Sequence, residues 1–210
     1  METVRLNDTN VQEIAAKAAD VLRAGGVVLY PTDTLYGLGA DALSNDAVAR
    51  IVEIKGRDDR KPIHAIVADL DMAAEYADVT TDARLLVQEF GGKVTVIFKK
   101  RGGIDTGIAK GIETFGIRVP ENGFCIAMCQ DFGGPITATS ANRAGETPLR
   151  SAPAILDQLG HTIEVNLVVD GGELPETQPS TVIDLSGSPV ILRESAVSAA
   201  DIWEVLRVEP

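Results

Sequence analysis

Residues 27–39 read VVLYPTDTLYGLG, an apolar run followed by a turn that is rich in hydroxyl groups. The run at residues 27–30 predicts a buried strand, because it is apolar on both faces, and Pro31 ends it. Thr32 and Thr34 then follow the end of the strand, where α/β sheets commonly bind ligands. Hydroxyls in such turns also satisfy local backbone groups, so a ligand-binding turn and a structural turn both remain open.

Helical and strand patterns alternate on both sides of this segment. Capping residues and helical periodicity predict helices that start near residues 9, 44, 81, 122, 151 and 198, the first with capping-box spacing from Thr9 to Gln12. Apolar runs predict strands at residues 27–30, 63–67, 94–98, 115–119, 136–139, 166–169, 181–185 and 190–193. This order predicts an α/β or α+β fold with a mixed sheet. Because no repeat or linker interrupts it, we expect a single domain over residues 1–210, with its core at about residues 8–207.

The composition limits the classes of function. Hydrophobic residues make up 45% of the 210 residues, enough for a sizeable core, and aromatic residues only 4%. The net charge of −12 argues against an extended surface for nucleic acid, which is usually basic. Cys125 and Cys129 are four residues apart in a predicted helix, and we expect them to be reduced core residues rather than zinc ligands or a disulfide.

The chain shows no sign of membrane insertion or export. It does not open with a basic region followed by an apolar run, and no apolar stretch approaches the ~20 residues that a membrane span needs. These patterns predict a cytoplasmic protein.

Basic residues are concentrated in one short stretch of this acidic chain. Five of the nineteen fall within twelve positions: Arg50, Lys55, Arg57, Arg60 and Lys61. The stretch joins a predicted helix end to a loop and a strand, where basic side chains can converge on one anion. It therefore favours a phosphate pocket over the plainer interpretation, a solvated charged face.

A second strand also ends in a loop rich in hydrogen-bond donors, at residues 135–145 (PITATSANRAG). Ser140 and Asn142 are two residues apart, so an extended backbone would project them to the same side. The spacing of a Walker phosphate loop is absent. In addition, Arg118 lies in the apolar strand at residues 115–119 and needs an anionic partner, either a side chain or a ligand.

Five segments together resemble the YrdC-like family, the threonylcarbamoyl-AMP synthases of the TsaC type. They match in type, order and spacing: PTDTLYGL at 31–38, KGR at 55–57, GIRVP at 116–120, TATSAN at 137–142 and PSTV at 179–182. The resemblance implies a twisted mixed sheet flanked by helices, with a concave, positively charged cavity. It also implies the substrates L-threonine, bicarbonate and ATP, with Mg²⁺, and the products threonylcarbamoyl-AMP and pyrophosphate. The product would pass to a separate tRNA threonylcarbamoyl transferase, and weak RNA binding is a further expectation.

The same resemblance assigns roles to individual residues. It implies a catalytic group of Lys55, Arg57, Ser140 and Asn142. It implies ATP contacts by Arg57, Lys61, Thr114, Asn142, Arg150 and Arg193. It implies a threonine site formed by Thr34, His64, Arg118, Ser140 and Ser180, with Arg118 binding the carboxylate. No protein side chain is expected to bind the metal, because the ATP phosphates would hold Mg²⁺.

Two alternatives remain open. YrdC-like domains also occur inside hydrogenase-maturation carbamoyltransferases, which use carbamoyl-phosphate, although the zinc-finger and acylphosphatase segments of those chains are absent here. A non-enzymatic RNA-binding module is the other alternative, and the −12 charge and the scarcity of aromatic residues argue against it.

The resemblance predicts that Arg57→Ala and Asn142→Ala each abolish turnover and leave the fold intact, because polar groups in loops contribute little to core stability. Pyrophosphate release measures the first effect, and circular dichroism checks the fold. Near-normal activity of either variant would contradict the assignment of that residue.

Overall fold

The computed structural model describes residues 1–56, 62–160 and 164–207. Within these residues the chain forms ten strands and seven α-helices. The strands are β1 Glu2–Arg5, β2 Val28–Tyr30, β3 Gly37–Gly39, β4 His64–Ile66, β5 Val94–Lys99, β6 Thr114–Arg118, β7 Ile136–Ser140, β8 Leu167–Asp170, β9 Thr181–Asp184 and β10 Val190–Arg193. The helices are α1 Val11–Arg23, α2 Asn45–Lys55, α3 Leu70–Tyr76, α4 Thr81–Phe90, α5 Gly123–Phe132, α6 Ala152–Leu159 and α7 Ala199–Leu206.

The strands form one mixed sheet in the order β1-β8-β2-β3-β7-β4-β6-β5-β9-β10. The pairs β1–β8, β2–β8, β4–β6 and β5–β9 are parallel, and the other neighbours are antiparallel. The fold class predicted from the sequence, a mixed sheet flanked by helices, is therefore confirmed.

Helices cover both faces of the sheet. On one face α1 packs against α5 over apolar residues of β2 and β8 such as Val28 and Leu167. On the other face, Leu29 and Val168 belong to a second core that includes apolar residues of α2, α4, α6 and α7, with α6 next to β8 and α4 next to β5. Because β2 and β8 are apolar on both faces, they lie buried between these two cores, as continuous apolar runs predict.

The capping chemistry of the helices follows the sequence closely, with one correction. Ser44 caps α2 by accepting a hydrogen bond from Ala47 N, and Gly56 ends the helix in the left-handed conformation. The capping box predicted from Thr9 does not form, because Asn10 is the first residue before α1 and its side chain is engaged elsewhere. It accepts from Asn7 N at 2.9 Å and donates to Arg5 O at 2.9 Å.

The sequence patterns did not reveal three elements. β1 is a mostly exposed strand that lies outside the predicted core range of residues 8–207, α3 has only seven residues, and β3 has the sequence GLG. Glycine is depleted in strands, so residues 37–39 looked like a continuation of the turn. They form a strand instead, antiparallel to both β2 and β7.

The two cysteines lie in α5 as predicted, and both are buried and not disulfide-bonded. None of the helices within the described ranges has the combination of length and apolar character that crossing a membrane requires.

The glycines of β3 leave room for Tyr30, whose side chain is fully buried. A Cβ atom at Gly39 would lie 2.8 Å from Tyr30 Cε1 and 3.1 Å from Ile136 Cγ2. Both neighbours belong to adjacent strands, so neither can move without disturbing the sheet.

We therefore expect Gly39→Ala to lower the free energy of unfolding by about 1–3 kcal/mol, the usual cost of overpacking a core. Urea denaturation measures the change. Gly102→Ala is the matched control, because a Cβ atom at Gly102 would meet no other atom within 4 Å. Equal stability of the two variants would contradict this account of β3.

Candidate active site

A cavity of ≈ 560 Å³ opens over the central strands of the sheet. Eight of the twelve residues to which the resemblance assigns a role line it: Thr34, Lys55, His64, Arg118, Ser140, Asn142, Ser180 and Arg193. Thr114 and Arg150 do not line it. Arg57 and Lys61 lie outside the described residues, as does the rest of the basic loop at 57–61.

The register of the sheet explains why residues from distant segments meet here. His64 pairs with Ala138 of β7, and Ala65 pairs with Ile117, so His64 stands opposite Gly116 of β6. Paired residues project to the same face, and so do residues two apart on one strand. Ser140 and Arg118 therefore lie on the same face as His64. The cavity runs across this face, whereas the sequence suggested a site at the strand ends.

Lys55 holds the loop that follows β7. Its side chain is buried, and its ammonium donates to Ser140 O, to Asn142 O at 3.0 Å and to Asn142 Oδ1 at 3.4 Å. Ser140 Oγ donates to Asn142 Oδ1 at 2.5 Å, so the two side chains meet as their spacing predicted. The Asn142 amide donates to Arg143 O and Glu146 O. The Lys55 ammonium thus connects the C-terminal end of α2 to the loop that follows β7.

One hydroxyl of the turn after β2 has a structural role, and the other is left to face the cavity. Thr32 Oγ1 accepts from the backbone N–H of Thr34 and of Leu35, and donates to Leu35 O at 2.7 Å. Thr34 Oγ1 lies 3.2 Å from Thr32 Oγ1 and lines the cavity. The backbone carbonyl of Thr34 accepts from Thr177 Oγ1 at 2.6 Å. Thr32 therefore shapes the turn, which leaves Thr34 to face a ligand.

The far end of the cavity holds a guanidinium group and a pair of hydroxyls. Arg118 Nη2 donates to Asp33 Oδ1 at 2.8 Å, and Arg118 Nε donates to Gly92 O at 2.6 Å. The anionic partner that the sequence required for Arg118 is thus a side chain of the protein. Next to it on the neighbouring strand, Thr95 Oγ1 lies 2.7 Å from Ser180 Oγ, and both residues are buried.

His64 lies against the backbone of β6 in the middle of the cavity. A Cβ atom at Gly116 would lie 2.5 Å from His64 Cδ2 and 2.9 Å from Ile97 Cδ1, so the glycine leaves the space that the imidazole occupies. The ring separates the Arg118 end of the cavity from the Ser140 end, since it projects between them from β4.

Three of the predicted ATP ligands, Arg193, Arg150 and Thr114, have different surroundings. Arg193 lines the cavity and donates to Ser180 O at 2.7 Å, and burial lowers its pKa below the ordinary value. Arg150 instead pairs with Glu173 at 2.8 Å on the surface. Thr114 projects to the same face of β6 as Arg118, at the opposite end of the strand.

Comparison with known proteins identifies the family. The family model Sua5/YciO/YrdC, whose description reads "Telomere recombination", matches residues 20–195. The chain belongs to the Sua5/YciO/YrdC family.

Relatives in this family share both sequence and fold with the chain. It is 34% identical over 180 residues to the threonylcarbamoyl-AMP synthase of Mus musculus, covering 83% of this chain and 63% of the relative. It is 31% identical over 183 residues to that of Shigella boydii, covering 85% of this chain and 95% of the relative. A crystal structure of P. abyssi Sua5 complexed with L-threonine superposes with a TM-score of 0.86 at 30% identity, over 98% of this chain and 60% of that one. The chain thus spans less than two thirds of the mouse and P. abyssi proteins.

Residues without a predicted role also line the cavity in this member of the Sua5/YciO/YrdC family, among them Tyr30, Thr95 and Glu146. Thr95 could have been suspected, because it is a polar residue in an otherwise apolar strand, but its partner Ser180 is 85 residues away. Glu146 adds one carboxylate to a lining that otherwise carries the cations of Lys55, Arg118 and Arg193 among the described residues.

We expect Lys55→Met to destabilise the protein by about 2 kcal/mol, because it removes the charge-assisted hydrogen bonds that the Ser140 and Asn142 carbonyls accept from the ammonium. Ser140→Ala removes one hydroxyl beside the same loop and leaves those carbonyls paired with Lys55, so it should cost less. Thermal unfolding of the two variants measures the difference. A Lys55→Met variant as stable as Ser140→Ala would show that the ammonium does not hold the loop.

Proposed function

We propose that this protein is a threonylcarbamoyl-AMP synthase, which joins L-threonine, bicarbonate and ATP and releases pyrophosphate. One observation carries the proposal: a single cavity collects hydroxyls and cations from all five of the segments that resemble the family. The alignment covers 95% of the threonylcarbamoyl-AMP synthase of Shigella boydii, which supports this activity for a domain of this size.

Threonine is proposed to bind at the Arg118 end of the cavity. The guanidinium suits a carboxylate, because it is a planar donor of fixed charge. Thr34 and Ser180 offer hydroxyls at the same end, with His64 and Ser140 beyond them. The resemblance to P. abyssi Sua5, which was crystallised with L-threonine, supports threonine as a ligand of this fold.

ATP is proposed to bind across the other end, against Ser140, Asn142 and Arg193. Arg57 and Lys61 would complete this side from the basic loop outside the described residues. Thr114 and Arg150 stay predictions as ATP ligands, and Arg150 would have to exchange Glu173 for a phosphate.

Mg²⁺ is proposed to arrive with ATP and to be held mainly by its phosphates. Within the described ranges no three His, Cys, Asp or Glu side chains come together as a metal-binding cluster. The donors in the lining are hydroxyls, an amide and cations, which suit phosphate oxygens rather than the metal itself. When bound, the ion would offset the negative charge of the phosphates.

The proposed reaction begins with a carbamate formed from the neutral threonine amine and bicarbonate: an N–C bond forms, a C–O bond of bicarbonate breaks, and the hydroxyl leaves as water with a proton from the amine. A carbamate oxygen then attacks the α-phosphorus of ATP, a new P–O bond forms, and the bond to the bridging oxygen breaks as pyrophosphate leaves. Both reactants are anions, so their approach has to be screened by cationic groups and hydrogen-bond donors. Holding them in line can supply about 7–11 kcal/mol of the barrier, and this route requires no protein base.

The contacts of Lys55 favour a positioning role over a catalytic one. Its ammonium donates to the carbonyls of Ser140 and Asn142, and so fixes the loop that would face the reacting groups. The catalytic contacts are proposed for Ser140 and Asn142, together with Arg57.

The product, an activated mixed anhydride, would be passed to a tRNA threonylcarbamoyl transferase. Transfer of an unstable adenylate to a second protein fits a chain of net charge −12 better than direct gripping of tRNA does. Weak RNA binding stays an expectation.

The purified protein with MgATP should release pyrophosphate only when threonine and bicarbonate are both present. Arg118→Ala should raise the KM for threonine strongly, since it removes the group proposed to bind the carboxylate. Arg84→Ala is the matched control, because it removes an equal charge from a half-exposed site on α4, 3.9 Å from Asp71. Release without threonine, or turnover of carbamoyl-phosphate instead, would overturn the proposal.

A further inference from the structure

Two of the three nitrogens of the Arg118 guanidinium are held by the protein. Nε donates to Gly92 O at 2.6 Å and Nη2 donates to Asp33 Oδ1 at 2.8 Å. Nη1 donates to none of the described residues, and Arg118 lines the cavity. A guanidinium is planar, so fixing two of its nitrogens fixes the direction of the third.

Asp33 approaches Arg118 from outside the cavity. It lies between Thr32 and Thr34, which both line the cavity, but it does not line the cavity itself. The Asp33 and Arg118 side chains are only 15% and 9% exposed, so water screens their attraction poorly. The ion pair is therefore persistent, unlike a pair at the surface.

The lack of a side chain at Gly92 leaves space for the Asp33 carboxylate. A Cβ atom at Gly92 would lie 2.0 Å from Asp33 Oδ2 and 2.9 Å from Glu121 N. The same residue supplies the carbonyl that accepts from Arg118 Nε. Any side chain at this position would push away either the carboxylate or the backbone that holds the guanidinium.

We propose that Asp33 is a positioning residue that, with the Gly92 carbonyl, aims Arg118 Nη1 into the cavity for the carboxylate of the amino-acid substrate. This inference rests on the proposed function. Asp33 makes no contact with the substrate and acts only through Arg118. Without it the guanidinium would be free to turn, and part of the binding free energy would be lost in ordering it again.

The charge of Asp33 also has an opposing effect, since a carboxylate beside Arg118 reduces its attraction for another carboxylate. The two effects predict opposite signs. If aiming dominates, removal of Asp33 raises the KM for threonine, whereas if competition dominates, removal lowers it. We expect the orientation of Arg118 to have the larger effect, because Asp33 and Gly92 hold two of the three guanidinium nitrogens in place.

The test measures steady-state pyrophosphate release by the full chain. Asp33→Ala should raise the KM for threonine about tenfold or more, with kcat and the KM for ATP changed less than about twofold. Asp33→Asn keeps an oxygen acceptor for Nη2 and should recover part of the loss. Gly92→Ala leaves every charge in place but displaces the Asp33 carboxylate, so it should also raise the KM for threonine, while Gly102→Ala should not.

A double-mutant cycle establishes that Asp33 acts through Arg118. In an Arg118→Ala background, Asp33→Ala should add no further rise in the KM for threonine. An additive effect would overturn the inference, as would an unchanged or lowered KM in Asp33→Ala. If Asp33→Ala fails to fold, Asp33→Asn and Gly92→Ala decide by the same criterion. A wild-type protein without activity would overturn the proposed function and this inference together, whereas active wild type with unaffected variants overturns the inference alone.

Discussion

The Tyr30 side chain can be buried only because β3, the neighbouring strand, has glycines at residues 37 and 39. A Cβ atom at Gly37 would lie 2.9 Å from the ring, and one at Gly39 would lie 2.8 Å from it. The hydroxyl donates to Thr137 O at 3.2 Å, and burial raises the pKa of the phenol well above its ordinary value, which keeps the proton on this donor. One side chain thus joins β2, β3 and β7 at the centre of the sheet.

Both polar loops of the cavity depend on this junction. Gly37 pairs with Ser140, and Ala141 N donates to Tyr36 O at 2.8 Å, so the turn after β2 and the loop after β7 begin side by side. The Thr34 hydroxyl and the Ser140 hydroxyl reach one cavity because the strands beneath them cannot slip. A slip of one residue would turn each of these side chains to the opposite face.

Buried cations are used in the same way at both ends of the cavity. Lys55 is bound by backbone carbonyls, and Arg118 by a carbonyl and a carboxylate. Each cation therefore has acceptors in the protein before any ligand arrives, which offsets part of the cost of burying it. A site built this way is ordered in advance, and it spends little free energy on rearrangement when charge develops in a reaction.

The sequence predicted those parts of the structure whose cause is local. Most strands, the caps of Ser44 and Ser198 and the meeting of Ser140 with Asn142 follow from patterns within a few residues. β3 could not be predicted, since the reason for its glycines is a ring on another strand. Likewise Asp33 is 85 residues from Arg118, and the same separation divides Thr95 from Ser180, so no local pattern links either pair. The carbonyl partners of Lys55 are equally distant in sequence. Nothing near Lys55 in the sequence indicates that backbone carbonyls bind its ammonium, so its charge suggested contact with a ligand.

The pairing of β1 with β8 has a consequence for how the chain is made. Arg5 of β1 meets Asp170 of β8 across 165 residues, and β2 also shares β8 as a neighbour. At about 5–20 residues per second, a ribosome needs roughly 8–30 s to make the intervening chain. During that time β1 has no partner, and its mostly exposed, polar residues suit a strand that has to remain in water. β2 has only β3 beside it over the same interval, so this edge of the sheet can form only after β8 has been synthesised.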